Sequence, residues 1–405
     1  MPKLIYISLM RLPTEKAHGL QIMQNCEAFA DAGCDVTLWV ARRWNTREMR
    51  AIIDPFAYYG IRATFKVRRI PCIDIFPLFP PESAGARLSF YLLQLSYALA
   101  SLLLLPFTRA DIFYSRDEFI LTLLSRVKAK ASLAYEAHQF PASGRGAALQ
   151  AHVVSRVGSV IALTPRLRED LIRQRGADSA RVIIAHDGIR RARFADIPDQ
   201  AAARQQVGWP QEAFIVGYLG RLHTIGMDKG VGTLVEALAA NEGACLALVG
   251  GPDDMAESLR RKWLALGLRA ECFLYAGHVP PDQVALFLSA FDICAMPHPP
   301  TAQFSRYTSP LKLFEYMAAG RAIVASDLPA WSDVVADGET AVLVPPADAP
   351  AWSEAISRLR LDREMRARLG GRAREMVLEH YTWDVRAERI LAHIRAERSQ
   401  TGGGR

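Results

Sequence analysis

What this chain of 405 residues lacks narrows its chemistry before anything it contains. Its six cysteines, Cys26, Cys34, Cys72, Cys245, Cys272 and Cys294, stand far apart with no Cys-x-x-Cys pair. Neither a disulfide framework nor a thiolate zinc site is expected, and free thiols in a reducing cytoplasm are the simplest reading. No cluster of His or Cys has metal-ligand spacing, so no metal is expected. No signal-peptide pattern follows the opening Met-Pro-Lys. The chain has no low-complexity block, no short-period repeat and no evident carboxylate pair set for general acid–base work. What it does have is length and apolar content. Half of its residues are hydrophobic, enough for two domains that each bury a core.

Charge is shared unevenly. Residues 1–200 carry 27 Lys and Arg against 18 Asp and Glu, a balance of +9, whereas the remainder carries 22 against 24, or −2. A basic first half is expected to meet an anionic partner: a membrane surface, or an acidic or phosphorylated acceptor. Nucleic acid is not expected, because Arg42-Arg43, Arg68-Arg69 and Arg190-Arg191 are scattered pairs without a recognition motif. The one long apolar run, residues 88–108, is uncharged between Arg87 and Arg109. Its length approaches a membrane span, but Ser89, Gln94, Ser96, Tyr97 and Ser101 interrupt it and a strand-like segment follows at 111–115. A helix buried against a sheet fits best, with a peripheral membrane contact as the alternative. The proline-rich turn at 75–81 could add to such a contact.

The first half opens as strand, helix, strand: Lys3 to Ser8, Leu20 to Ala32, and Cys34 to Val40. That order predicts a parallel sheet with a right-handed crossover. Ligands in such sheets sit beyond the carboxyl ends of strands, so the loop from Met10 to Gly19, with Glu15, Lys16 and His18, is expected to line a site. Two later strand ends fall in the same class: Arg116-Asp117 after residues 111–115, and a loop holding Glu136 and His138 after 131–135.

The second half holds two segments that point to a phosphate ligand. Phe214 to Gly220 reads as a buried strand, residues 221–230 as a loop, and Val231 to Ala239 as an amphipathic helix. In that loop Gly220, Gly226 and Gly230 permit close backbone approach, and Arg221 and Lys229 could clamp a diphosphate; a plain basic surface loop is the alternative. Further on, Ser309 suits an N-cap, Pro310 a first helical position, Leu311 and Phe314 an apolar face, and Gly320 a helix stop. The helix start favours an anion, Lys312 adds charge, and Glu315 lies roughly 9 Å along the axis from Ser309 at about 1.5 Å per residue. Glu315 could accept two vicinal ribose hydroxyls, or it could stand in solvent.

Together these segments resemble the retaining GT-B glycosyltransferases of the family 4 type (glycosyl transferases group 1). The matching stretches, in the family's order, are Gly-Arg-Leu-x6-Lys-Gly at 220–230, Leu-Val-Gly-Gly-Pro at 248–252, Ala-Gly-His-Val at 276–279 and Phe-Asp-Ile-Cys-Ala-Met-Pro at 291–297. Ser-Pro-Leu-Lys-Leu-Phe-Glu-Tyr-Met-Ala-Ala-Gly at 309–320 and Asp-Gly-Glu-Thr-Ala-Val-Leu-Val-Pro-Pro at 337–346 complete the series. The resemblance implies an α/β fold of two Rossmann-like domains facing each other across a cleft: residues 1–195 on the acceptor side, 196–375 binding a nucleotide-sugar donor, and 376–397 as a helix returning to the first domain. It also implies His138 near the donor sugar, against the alternative of a structural histidine, and Gly19 in a phosphate-side loop. Gly220, Ser309, Pro310, Leu311, Lys312 and Glu315 would contact the donor, with His278 and Val279 bordering the base.

The implied chemistry is transfer of a sugar from a nucleoside diphosphate sugar to a glycan, lipid-linked or small-molecule acceptor, with retention and without a metal or other cofactor. Arg221, Lys229 and Lys312 would stabilise the leaving diphosphate by fixed charge, and a phosphate oxygen could take the acceptor's proton. The expected location is the cytoplasm, with the inner membrane face as a peripheral surface. One departure stands out: where the family often has a carboxylate eight residues before Glu315, this chain has Tyr307. A neutral phenol can share a hydrogen bond but carries no negative charge. A catalytically silent nucleotide-sugar binding protein is therefore one alternative, and a non-hydrolysing nucleotide-sugar epimerase is another.

Overall fold

A computed structural model describes residues 1–80, 83–224 and 226–402. Pro81 of the proline-rich turn and residues 403–405 lie outside the described residues. The chain divides into two units, one made of Met1–His186 with Trp383–Arg405 and the other of Asp187–Thr382. The junctions thus fall earlier than residue 195 and later than 375, for a packing reason. Phe194 belongs to the core of the second unit, and Ile189 bridges to Thr382, closing that unit on itself.

The first unit is a seven-stranded sheet of β1 (Lys3–Ser8), β2 (Asp35–Ala41), β3 (Lys66–Ile70), β4 (Ile112–Ser115), β5 (Leu133–Ala137), β6 (Ser159–Ala162) and β7 (Val182–Ile184). Its order is β3-β2-β1-β4-β5-β6-β7, with every paired neighbour parallel. The central strands are buried along their lengths, as continuous runs such as Ile-Phe-Tyr-Ser require of a sheet covered on both faces.

Helix α1 (Ala17–Asp31) starts three residues before the expected Leu20. Gly19 therefore lies in its first turn rather than in a loop. A Cβ there would come within 2.4 Å of Thr14 Cγ2 and 2.5 Å of the Tyr59 hydroxyl. Close packing is reason enough for this glycine. Helix α2 (Ala84–Leu104) covers most of the long apolar run and is capped by Ser83, whose Oγ accepts from Ala86 N at 3.0 Å. It is not a core helix throughout: only 33% of its most apolar window is buried.

The second unit holds β8 (Phe214–Leu219), a small antiparallel hairpin β9 (His223–Thr224) with β10 (Met227–Asp228), then β11 (Ala244–Val249), β12 (Phe273–Gly277), β13 (Ile293–Met296), β14 (Ala322–Ser326) and β15 (Val342–Val344). The six long strands form one parallel sheet in the order β12-β11-β8-β13-β14-β15. The segment expected as a loop thus contains the hairpin. Helix α3 (Val231–Ala239) follows it, α4 (Leu311–Ala318) precedes β14, and α5 (Trp383–Gly402) ends the described chain as part of the first unit.

Both sheets reverse direction of growth once, between β1 and β4 and between β8 and β13. Ligands in doubly wound folds bind at the carboxyl ends of strands at such a reversal. Each unit therefore has one place where topology puts a site.

Candidate functional site

In the second unit that place is walled by glycines. Gly220, just past β8, takes a φ of 131° and Gly250, past β11, a φ of 127°. A Cβ on Gly250 would lie 2.2 Å from Gly220 O, so the two strand ends meet backbone to backbone. Gly220 N donates to Val249 O at 2.7 Å and Gly250 N to Gly277 O at 2.6 Å. A Cβ on Gly220 would also come within 2.9 Å of Lys312 Nζ, which is how closely that cation approaches the loop.

Lys312 is held by a relay. Its Nζ donates to the Tyr218 hydroxyl at 2.6 Å, and that hydroxyl donates to Arg221 O at 2.7 Å. Burial, reinforced by the charge of Lys229, pushes the Lys312 ammonium well below the usual lysine range. Lys229 is buried too, with Nζ 3.9 Å from the centre of the Phe304 ring. Burial alone brings it down to about 8. Two ammonium groups near each other and poorly hydrated gain most from a dianion. The Arg221 guanidinium is exposed, so it can swing to a ligand but is not pre-set for one.

Helix α4 departs from expectation at its first residues. It begins at Leu311, not at Pro310, and Pro310 is the capping position, with no side-chain cap. Ser309 does not cap: its Oγ accepts from Asp187 N at 3.0 Å, a bond that joins the start of the unit to the start of the helix. The distance from the helix start to Glu315 accordingly shortens to about 6 Å at about 1.5 Å per residue. Tyr316 fixes the helix against the sheet, its hydroxyl accepting from Leu219 N at 2.8 Å.

Glu315 is not in solvent. Its side chain is 14% exposed and pairs with Arg193 at 3.6 Å. Burial raises its pKa, and Arg193 and then Lys312 oppose that rise. Tyr307 is buried just after a short helix, Ala302–Arg306, that sequence periodicity did not indicate. His278, exposed, and Val279, half-buried, follow β12, whose terminal Gly277 bonds Gly250.

Three further residues complete this region. His298 follows β13 after Pro297 at the reversal, is 1% exposed, and leaves its Nδ1 without a hydrogen-bond partner. Its ring meets Phe304 edge-on at 5.0 Å and Trp331 at 5.8 Å. Burial, then Lys312 and Lys229, hold it neutral, well below the usual histidine range. Arg193 is buried with its Nη2 unpartnered, and Gly250 is the backbone neighbour of Gly220. The signal for His298 lay in the strand order, since it directly follows the motif at 291–297.

The first unit gathers its own cluster at β1, β4 and β5. Glu136 lies within β5, not in a loop, and is fully buried. Arg116 Nη2 reaches its Oε1 at 2.9 Å and Arg386 Nη2, from α5, its Oε2 at 2.9 Å. The Tyr114 hydroxyl donates to Oε2, and His138 Nε2 meets Oε1. Burial would raise this carboxyl, but Arg116, Arg386 and His138 hold it well below the usual range, so it stays ionised. An ionised carboxylate only accepts, hence Nε2 is the protonated nitrogen of His138. Arg116 also donates from Nε to the Tyr6 hydroxyl and from Nη1 to Gln21 Oε1, both at 2.7 Å. Gly19 contributes backbone packing at the start of α1 and nothing polar from a side chain.

Residues 213–362 match the model of the family described as Glycosyl transferases group 1. Among curated proteins, the chain is similar to D-inositol 3-phosphate glycosyltransferase of Acidothermus cellulolyticus, with 30% identity over 266 residues, 63% of this chain and 57% of that protein. The enzyme of the same description from Streptomyces avermitilis is 27% identical over 270 residues, covering 62% and 56%. The aligned segment thus spans a little over half the length of these relatives. Sucrose-phosphate synthase of Thermosynechococcus elongatus has a similar structure, with a TM-score of 0.76, 21% identity and full coverage of both chains. Anabaena HepE, solved with UDP and glucose, gives 0.70 with 17% identity, covering 98% of this chain and all of that one. At these identities the structures establish the GT-B fold of two parallel-sheet α/β domains.

Proposed function

Through residues 213–362 the chain belongs to the group 1 glycosyltransferases, and from that premise we propose that it moves a sugar from a nucleoside diphosphate sugar to a hydroxyl of a glycan, lipid-linked or small-molecule acceptor. One observation carries the reading. Lys229 and Lys312 are both buried, and the charge of Lys229 adds to the burial that depresses Lys312, with His298 between rings beside them and glycine backbone alone where a side chain would fill the space. Keeping two ammonium groups in such a place is costly without an anion to receive. A diphosphate supplies that anion, and the relatives' activity and the UDP in HepE agree with it.

In this reading the diphosphate sits at the carboxyl end of β8, against Gly220 and the first turn of α4. Glu315, held by Arg193, accepts from the ribose hydroxyls. As the glycosidic bond breaks, negative charge grows on the departing phosphate oxygen, and Lys229 and Lys312 stabilise it without reorganising. Arg221 closes onto the same group. The acceptor hydroxyl adds to the sugar carbon on the face the diphosphate leaves, giving retention, and passes its proton to the departing oxygen. The charges are supplied by side chains, so no metal is called for. In the first unit, His138, fixed through Nε2 by Glu136, is the candidate for a contact with a sugar hydroxyl.

Tyr307 favours a second reading, a protein that binds the donor without turnover. Incubation with a panel of nucleotide sugars and acceptors, reading released nucleoside diphosphate, separates the two. Turnover is expected; Lys229→Ala is expected to lower it at least about 100-fold, the scale of losing one fixed charge stabiliser, and Glu315→Ala to lower it through the lost ribose contact. Binding without release in every combination would leave the silent protein standing.

A further inference from the structure

Helix α2 is fastened to the first unit along one side only. Ala86, Ser89, Leu93, Tyr97, Ala98 and Ser101 are buried. The Tyr97 hydroxyl donates to Trp39 O in β2 at 3.0 Å, and Ser96 Oγ accepts from Ile73 N at 2.9 Å. On the opposite side Leu88 is 71% exposed, Tyr91 61%, Leu95 46%, Leu99 51% and Leu103 73%. At about 100° per residue these five fall within an arc of about 120°. Beyond the helix Phe107, 87% exposed, continues the apolar surface. No charge interrupts the sequence from Arg87 to Arg109.

A contiguous row of this kind marks a docking surface rather than ordinary scatter. A bilayer crossing does not fit it, because the bonds to Trp39 and Ile73 and the buried serines hold the helix flat against the sheet. An apolar stripe on a helix whose other side is occupied by its own domain suits an interface entered from one side.

The neighbouring loops say what lies opposite. Cys72, next to the Ile73 that bonds α2, helps line a cavity of about 600 Å³ together with Arg42, Arg43, Arg50 and Arg69. Asp74 takes up Arg43 at 3.3 Å. Arg42, Arg50 and Arg69 are exposed and form no ion pair among the described residues. Glu48 attracts Arg50, which leaves Arg42 and Arg69 uncompensated, and such exposed arginines beside an apolar stripe complement anionic headgroups above acyl chains.

We propose that the first unit docks on an anionic lipid bilayer, with α2 lying in the plane of the interface, its Leu88–Leu103 stripe in the acyl boundary, and Arg42, Arg50 and Arg69 at the headgroups. The inference stands apart from the transfer reaction, since vesicle binding is read without any substrate.

The test is flotation of the full chain with phosphatidylcholine vesicles, with and without phosphatidylglycerol. The protein is expected to float with the anionic vesicles, to bind at least 10-fold less in 0.5 M salt or on phosphatidylcholine alone, and to lose at least 10-fold in Leu95→Glu/Leu99→Glu. Arg42→Gln/Arg69→Gln should lose the preference for anionic lipid. Both variants replace exposed side chains, and circular dichroism and thermal midpoint check that the fold is kept. Failure of the native protein to float with either vesicle overturns the proposal, as does undiminished binding by the folded Leu95→Glu/Leu99→Glu variant. Light scattering that finds a dimer dissolved by the same substitutions would give the face to a second copy and overturn it equally.

Discussion

His298 is a buried imidazole with one nitrogen unanswered, between two aromatic rings and beside two lysines. An unmet buried polar atom costs about 1–3 kcal/mol, and a ligand group that meets it recovers that cost on binding. His298→Leu is therefore expected to raise the thermal midpoint of the unliganded protein while weakening donor binding about 10-fold. A lowered midpoint with unchanged donor KM would make the residue structural. Lys229 gives a second reading at this scale. Its ammonium is pulled down to about 8 in the unliganded fold, so it is charged below that pH and loses its proton above it. A diphosphate binds the charged form, so donor affinity is expected to fall as pH rises through about 8. Lys229→Met, measured by donor titration from neutral to alkaline pH, should flatten that decline. The lysines, Gly220 and Glu315 were legible in sequence because charge and backbone freedom are local properties. Arg193 was not, because nothing near it in sequence says that Glu315 needs a partner, and His298 was marked only by the motif it follows, which does not say that β13 lies beside β8.

At the scale of elements, the start of α4 shows how a local rule yields to a longer contact. Ser309 and Pro310 have the composition of a cap and a first turn, yet the Ser309 hydroxyl is taken by Asp187 N, 122 residues away. Its hydroxyl thus ties the start of the second unit to the start of α4. Ser309→Ala leaves the buried Asp187 N–H without that acceptor and is expected to destabilise the second unit by about 1–3 kcal/mol. Urea unfolding followed by tryptophan fluorescence would measure it, and Ser309→Thr, which keeps the hydroxyl, should restore much of the loss. A loss of donor affinity with unchanged stability would instead return Ser309 to a direct ligand role. The strands were readable as apolar runs, but α1 began early and the hairpin β9–β10 was invisible. Two-residue strands carry no periodicity, and a helix can start at Ala17 without any side-chain cap to announce it.

For the whole molecule, two domains followed from length and apolar content, and their kinship from the motif series, but the seams did not. The first unit is discontinuous: its core takes in α5 from the end of the chain, and with it Arg386, which reaches Glu136 Oε2 at 2.9 Å, Asn25 Oδ1 at 3.0 Å and His186 O at 2.9 Å. No pattern in Trp383 to Arg395 could say which buried carboxylate its arginine meets. Continuity decides how each unit behaves alone. A fragment of residues 187–382 contains its entire sheet together with Lys229, Lys312 and Glu315, so it is expected to fold cooperatively and, on the proposed function, to bind a nucleoside diphosphate. A fragment of residues 1–186 keeps all seven strands but leaves the buried Glu136 carboxylate short of one of its two arginines. Breaking a buried ion pair on one side costs about 3–5 kcal/mol, a large part of the stability of a domain. That fragment is expected to unfold at much lower denaturant or to collect in the insoluble fraction, and linking residues 383–402 to its end should rescue it. Rescue by the same extension carrying Arg386→Met would show that α5 contributes apolar cover rather than the charge that keeps Glu136 ionised and His138 in place.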